Sequence, residues 1–92
     1  MINLNSIPKQ NPNVAGQVVD DEAVLVSPEK GKVQVLNQIG AVIWNLADGQ
    51  NTVAAIVAEV CRHYDADQEQ VESDALEFLT VMLEKGIIQV EG

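Results

Sequence analysis

The sequence predicts an α+β domain in which a three-stranded antiparallel sheet is followed by three helices. Three observations carry this expectation. Residues 14–36 hold short β-branched runs, broken by turn residues, whose side chains alternate with period two. Residues 38–85 place apolar side chains at i, i+3, i+4 and i+7, the period of an amphipathic helix. Between these regimes lies Leu36–Gly49, LNQIGAVIWNLADG, which begins at the end of a strand and turns into a helix.

A chain of 92 residues makes one domain, burying roughly 60–65% of its unfolded surface. Apolar residues supply 47% of the chain but aromatic residues only 3%, so the core is aliphatic, with Trp44, Tyr64 and Phe78 as its large rings. Fourteen acidic against five basic side chains give a net charge of −9. That surface repels nucleic acid and anionic membranes and favours a basic or neutral partner. Cys61 is the sole cysteine, which rules out an intrachain disulfide. The first residues lack the charged head and apolar run of a signal peptide, and no window approaches the roughly 18 apolar residues of a spanning helix. The expected location is a bacterial-type cytoplasm.

Residues 1–13 contain four asparagines with Pro8 and Pro12, a density that disfavours regular structure. They are read as an extended or mobile N-terminal segment ahead of a domain spanning 14–92, with Ile2, Leu4 and Ile7 available to touch the body. Val14–Asp20 and Glu22–Ser27 form a hairpin about Asp20-Asp21. Pro28–Gly31 is a stronger turn, and Lys32–Leu36 returns as the third strand. Alternation puts Val33 and Val35 on one face of that strand and Gln34 and Leu36 on the other. At least one outer strand of such a sheet keeps an unpaired row of backbone groups.

Asn37 is the expected N-cap of a helix over 38–47. Gly40 within it costs about 1 kcal/mol relative to alanine, which implies close backbone packing there. Asp48-Gly49 is the expected stop. Thr52 caps a second helix over 53–64, where Val53, Ile56, Val57, Val60, Cys61 and Tyr64 form one stripe. Asp65-Ala66 breaks it, and Asp67 with Gln70 resembles a capping box opening a third helix over 68–85. That helix bears two apolar stripes, Val71, Ala75, Phe78 and Met82 beside Leu76, Leu79 and Leu83. Two stripes mean that it is sandwiched between layers or lines a groove. Lys85-Gly86 closes it, and Ile87–Val90 is long enough for a short final strand.

Catalytic chemistry is hard to assemble from these residues. His63, the single histidine, has no nucleophile at motif spacing, and a solvated residue at a helix end is the better reading. Cys61 lies on the apolar stripe and reads as a small core residue rather than a reactive thiol. One Cys and one His do not make a tetrahedral metal site. Glu69, Glu72, Asp74 and Glu77 lack the spacing of a calcium loop and read as a solvated helix face. Gly31, Gly40 and Gly49 are isolated, so no phosphate-cradling loop is present. No metal or cofactor is expected.

A binding module remains. The second and third helices after a small sheet are compatible with a winged helix-turn-helix arrangement, in which the later helix of the pair would enter the DNA major groove. Here that helix would present Glu69, Glu72, Asp74 and Glu77, with no Lys or Arg before Lys85, which is the wrong charge for phosphate contact. A winged-helix DNA-binding transcriptional regulator is therefore the alternative, and a small hydrolase built on His63 or Cys61 a third reading.

The run Lys32–Gly49, with its LN-x-x-GA-x-IW-x-L-x-DG pattern, resembles the PqqD family. So do Thr52-Val53 with Ile56-Val57, Tyr64-Asp65, Val71-x-x-Asp74, Phe78-Leu79 and Leu83-x-x-Gly86, a likeness covering about residues 14–90. The resemblance implies a winged helix-turn-helix-like fold with a three-stranded sheet and three helices, without catalytic activity. It further implies binding of the leader segment of a ribosomally made precursor peptide and delivery to a modifying enzyme. In pyrroloquinoline quinone biosynthesis that enzyme is a radical-SAM protein, and in lasso-peptide pathways a leader peptidase; the residues do not choose between branches. The family's leader adds as a strand beside the third strand of the sheet, against the third helix. Carried over, the groove is walled by Lys32, Val33, Gln34, Val35 and Leu36 and by Val71, Asp74, Ala75, Phe78 and Met82, with Asp74 placed to meet a basic leader residue. Strand addition suits an exposed sheet edge on physical grounds as well, since backbone hydrogen bonds give affinity and alternate side chains give specificity. The same edge also admits a second copy of this chain, giving a homodimer.

Overall fold

A computed structural model describes residues 2–20, 22–27 and 32–91. In chain order they form β1 (Ile7–Gln10), β2 (Ala15–Val19), β3 (Glu22–Ser27), β4 (Lys32–Leu36), α1 (Gln38–Leu46), α2 (Val53–Tyr64), α3 (Gln68–Glu84) and β5 (Ile88–Glu91). The expected α+β arrangement, a three-stranded antiparallel sheet followed by three helices, is present. The turn expected at Pro28–Gly31, and Asp21 of the first hairpin turn, lie outside the described residues.

β3 is the middle strand of the order β2-β3-β4, and it decides which face of the sheet is buried. Its Ala23 and Leu25 are each 1% exposed. Residues opposite one another across an antiparallel ladder share a face. The pairs Ala23↔Leu36 and Leu25↔Gln34 therefore turn Leu36 and Gln34 inward, while Val24↔Val35 and Val26↔Val33 turn the valines out. Gly16, opposite Leu25, also faces inward. A Cβ there would stand 3.0 Å from Trp44 Nε1 and 3.1 Å from Leu25 Cδ2, so a glycine is what lets the indole of α1 lie against β2.

The helices start where the caps predict. Asn37 Oδ1 accepts from Gly40 N at 2.8 Å, and Thr52 Oγ1 accepts from Ala55 N at 3.1 Å. Gly40 is closely packed as expected, since a Cβ would lie 3.3 Å from Leu36 Cβ and 3.5 Å from Phe78 Cε1. α1 ends at Leu46 with Ala47 as its C-cap, ahead of the expected Asp48-Gly49 stop. Gly49 does adopt a left-handed backbone (φ 83°), but its N–H donates to Pro8 O at 3.0 Å instead of closing the helix. α2 buries Val53, Ile56, Val57 and Val60 at the centre of the core and ends at Asp65, also left-handed (φ 47°). The capping box at α3 does not form. Asp67 accepts from Glu69 N at 3.1 Å, but Gln70 Nε2 reaches forward to Asp74 Oδ1 at 3.0 Å. The far end of α3 closes as a Schellman motif, with Gly86 N bonded to Leu83 O and Ile87 N to Met82 O.

The described part of the lead-in, expected to be extended or mobile and without a regular element, is extended at Ile7–Gln10 and there forms the strand β1. β1 pairs antiparallel with β5, Ile7 opposite Glu91 and Gln10 opposite Ile88. On its other side Gln10 N donates to Ala47 O, and Lys9 bridges Asp48. Pro8 is tolerated because its carbonyl points to Gly49 N, away from β5, so its missing N–H removes no bond from the β1–β5 ladder. Further upstream, Leu4 O and Ser6 O accept from Ala54 N and Val53 N, satisfying the open donors of the first turn of α2. The final strand forms as expected, though it pairs with β1 and not with the larger sheet.

Candidate functional site

β4 is an outer strand of the three-stranded sheet, and among the described residues nothing pairs with its far edge. α1 packs on β3 and β4, whereas α3 packs on α2 and β5. α3 meets β4 through Lys85 Nζ, which donates to Gln34 Oε1 at 3.0 Å. The sequence makes two faces on α3. Val71, Ala75, Leu79 and Met82 are buried in the core. Asp74, Phe78 and Val81, at helical spacing, form a neighbouring face that is left partly open.

That open face lines a trough. A pocket of about 300 Å³ lies between the start of α1 and α3, with Val71, Asp74, Ala75 and Phe78 on one wall and Asn37, Ile39, Gly40 and Ile43 on the other. A second depression of about 340 Å³, lined by Asp74, Glu77, Phe78 and Val81, continues it along α3. The trough is apolar at its base and acidic at its rim, where Asp74 and Glu77 are exposed carboxylates. Such a surface takes an aliphatic or aromatic side chain and favours a cation beside it.

Of the residues expected at the site, Val71, Asp74, Ala75 and Phe78 come together in the first pocket. The backbone of Lys32–Leu36 forms the open edge. Val33 and Val35, 62% and 54% exposed, face outward on the sheet, away from the helices. Gln34 faces inward, and Leu36 and Met82, 3% and 2% exposed, lie in the core and line neither part of the trough. The α1 wall was not anticipated. Its signal in the sequence is Gly40, whose missing side chain leaves the backbone of α1 within reach of Phe78.

The residues weighed for catalysis sit elsewhere. His63 Nε2 meets Glu59 Oε1 at 3.2 Å on the exposed side of α2. Arg62 also donates to Glu59, and that hydrogen bond holds the Glu59 carboxyl below its ordinary value. Glu59 and His63, with Val42, Asn45, Leu46 and Tyr64, line a separate depression of about 240 Å³ between α1 and α2, and Cys61 is not among its lining residues. Among the described residues no group of three or more His, Cys, Asp or Glu side chains is arranged to hold a metal ion, and no helix is long and apolar enough to cross a membrane.

An open strand edge beside an apolar trough is the geometry on which peptide-recognition modules of the strand-addition class take up an extended peptide. The family model for coenzyme PQQ synthesis protein D (PqqD) matches residues 22–88, and the chain belongs to this family. A protein from Xanthomonas euvesicatoria pv. vesicatoria named "PqqA binding protein" is 31% identical over 70 residues, covering 76% of this chain and 74% of its own. One of the same name from Xanthomonas oryzae pv. oryzae is 30% identical over 70 residues, with the same coverage. Among solved structures, TbiB1 in complex with the TbiA(beta) leader peptide superposes with a TM-score of 0.81 at 30% identity, covering 88% of this chain and 94% of that one. The solution structure of the PqqD part of Methylobacterium extorquens PqqCD, described as a stand-alone recognition element for ribosomally synthesised and post-translationally modified peptides, gives 0.80 at 25% identity, covering 97% and 95%. None of these relatives is described as binding DNA.

Proposed function

We propose that this protein binds the leader segment of a ribosomally made precursor peptide and presents it to a modifying enzyme, without itself catalysing a reaction. The observation that carries the reading is the unpaired edge of β4 lying beside the apolar, acid-rimmed trough of α1 and α3. A leader strand added to that edge gains backbone hydrogen bonds from Lys32–Leu36. Its inward side chains drop toward Val71, Asp74, Ala75 and Phe78, while Leu36 and Met82 belong to the core. Asp74 and Glu77 favour a basic leader residue. Relatives named for binding PqqA, and a neighbour solved with a leader peptide, support a leader as the ligand class. The modifying enzyme is a radical-SAM protein or a leader peptidase, and the cytoplasm, where the precursor is made, is the compartment in which they would meet. The acidic outer face of α3 gives the DNA-binding alternative no support.

The test is to search the genes flanking this one for a short precursor peptide and to titrate its labelled synthetic leader by fluorescence anisotropy. Saturable binding at micromolar affinity or better is expected. Proline placed in turn at Val33 and at Gln34 removes a backbone donor of each phase of β4. One phase points to β3 and weakens the fold, whereas the other points to the free edge and weakens leader binding alone. A cognate leader with no saturable binding sinks the reading.

A further inference from the structure

The six large apolar side chains left exposed among the described residues fall into two groups. Ile39 and Val81, each 41% exposed, line the trough. The other four, Val19, Val26, Val33 and Val35, are 39–62% exposed and lie on the outer face of the sheet, where Val24 joins them half-buried. An antiparallel sheet with one face on the core ordinarily turns polar residues to solvent on the other. This one turns out a patch of four valines on β3 and β4, Val24 opposite Val35 and Val26 opposite Val33, flanked on β2 by Ala15 and Gln17, with Val19 beyond them opposite Glu22; the leader-binding reading leaves this patch unused.

A second copy of the chain is a poor occupant. Three strands about 4.8 Å apart and five residues at about 3.3 Å each present only about 240 Å², against roughly 800 Å² per partner in a stable complex, so this face alone holds no partner tightly. A second copy also brings its own charge of −9 against the first, and Asp20 and Glu22 are exposed at the hairpin end of the face. The charge favours a different protein whose apolar patch is rimmed by Lys or Arg, and the small area a partner whose association is weak enough for hand-over.

We infer that the valine face is the docking surface for the leader-modifying enzyme, and that the bound leader forms part of it. The inference rests on the leader adding beside β4. In a pleated sheet every second residue of the added strand projects on the same side as Val33 and Val35. The loaded protein thus presents a four-stranded face where the empty one presents three. The enzyme reads valines and leader together and binds the loaded form more tightly.

The experiment uses the full chain, the labelled leader and the purified radical-SAM enzyme or leader peptidase that acts on that precursor. Enzyme affinity is measured with and without saturating leader, for the wild type and for Val19→Lys and Val26→Lys, which lie off β4 and outside the trough. The leader is expected to tighten enzyme binding at least about fivefold, and by linkage the enzyme tightens leader binding by the same factor. The lysine variants are expected to keep leader affinity within about twofold and to lose enzyme affinity at least about tenfold. Val19→Thr and Val26→Thr, which keep the β-branched shape, replace them if lysine disturbs folding. Enzyme affinity indifferent to these substitutions, or to the leader, overturns the inference and leaves the leader reading standing. A wild type that binds enzyme but not leader overturns both.

Discussion

Lys85 Nζ donates to Gln34 Oε1 across 3.0 Å, tying the end of α3 to the open strand of the sheet. The bond is exposed, so its loss in Lys85→Ala is expected to change folding stability by less than about 1 kcal/mol. It also links β4 to the end of α3, the helix that walls the proposed groove. Without it the leader must order that wall on binding, which should weaken affinity by about two- to tenfold. Anisotropy titrations of the variant check this, and an unaltered leader affinity would mean that the strap does not shape the groove.

Phe78 and Leu79 are neighbours with different tasks. Phe78 is half-buried and lines both parts of the trough, whereas Leu79 is 1% exposed in the core. Leu79→Ala is expected to lower stability by about 2–5 kcal/mol, with leader affinity of the folded fraction retained. Phe78→Ala should cost less stability and at least about tenfold in leader affinity. Urea denaturation and leader titration on both variants separate the two roles.

Gly16→Ala would press a methyl group on the Trp44 indole at 3.0 Å with Leu25 behind it. Overpacking of this kind costs about 1–3 kcal/mol. Trp44 is the single tryptophan of the chain, so its emission reports both the altered contact and the shifted urea midpoint. A midpoint equal to that of the wild type would show that β2 moves aside freely.

Glu59 supplies a pH dependence. The hydrogen bond from Arg62 lowers its folded pKa, so the unfolded chain binds the proton more readily. The contribution is fully present above the unfolded value of about 4.3 and is lost as pH falls through the lower folded value. The pair is exposed and its effect small. The stability difference between wild type and Arg62→Ala should therefore be measurable at pH 7 and shrink by pH 3; a difference that grows on acidification would contradict this.

Period and caps made α1, α2 and α3 legible, because Asn37, Thr52 and Asp67 each sit one residue before a helix that carries an apolar repeat and each bonds the first turn. The alternation in Lys32–Leu36 was equally plain, but alternation separates two faces without saying which is inside. Ala23 and Leu25 on β3 settle that through the ladder, a non-local fact that turns Gln34 in and Val33 out. The α3 side of the candidate site was visible because two apolar stripes, Phe78 among them, exceed what one packed face needs. Its α1 side depends on how closely Gly40 approaches Phe78, which no local pattern states. The strand Ile7–Gln10 was hidden for a similar reason. Pro8 argues against a strand unless the partner needing its N–H is absent, and its carbonyl instead serves Gly49, far along the chain.

The pairing of Ile7 with Glu91 sets how the molecule responds to tension. Its ladder bonds run across the strands, so a force separating the two ends opens them singly, from Ile7 and Glu91 inward, in an unzipping geometry. β2, β3 and β4 lie off that line of load. Two handles attached at residues 7 and 91 in an optical trap should record an early, low-force extension as β1 and β5 part, followed by a separate event when the sheet and helices give way.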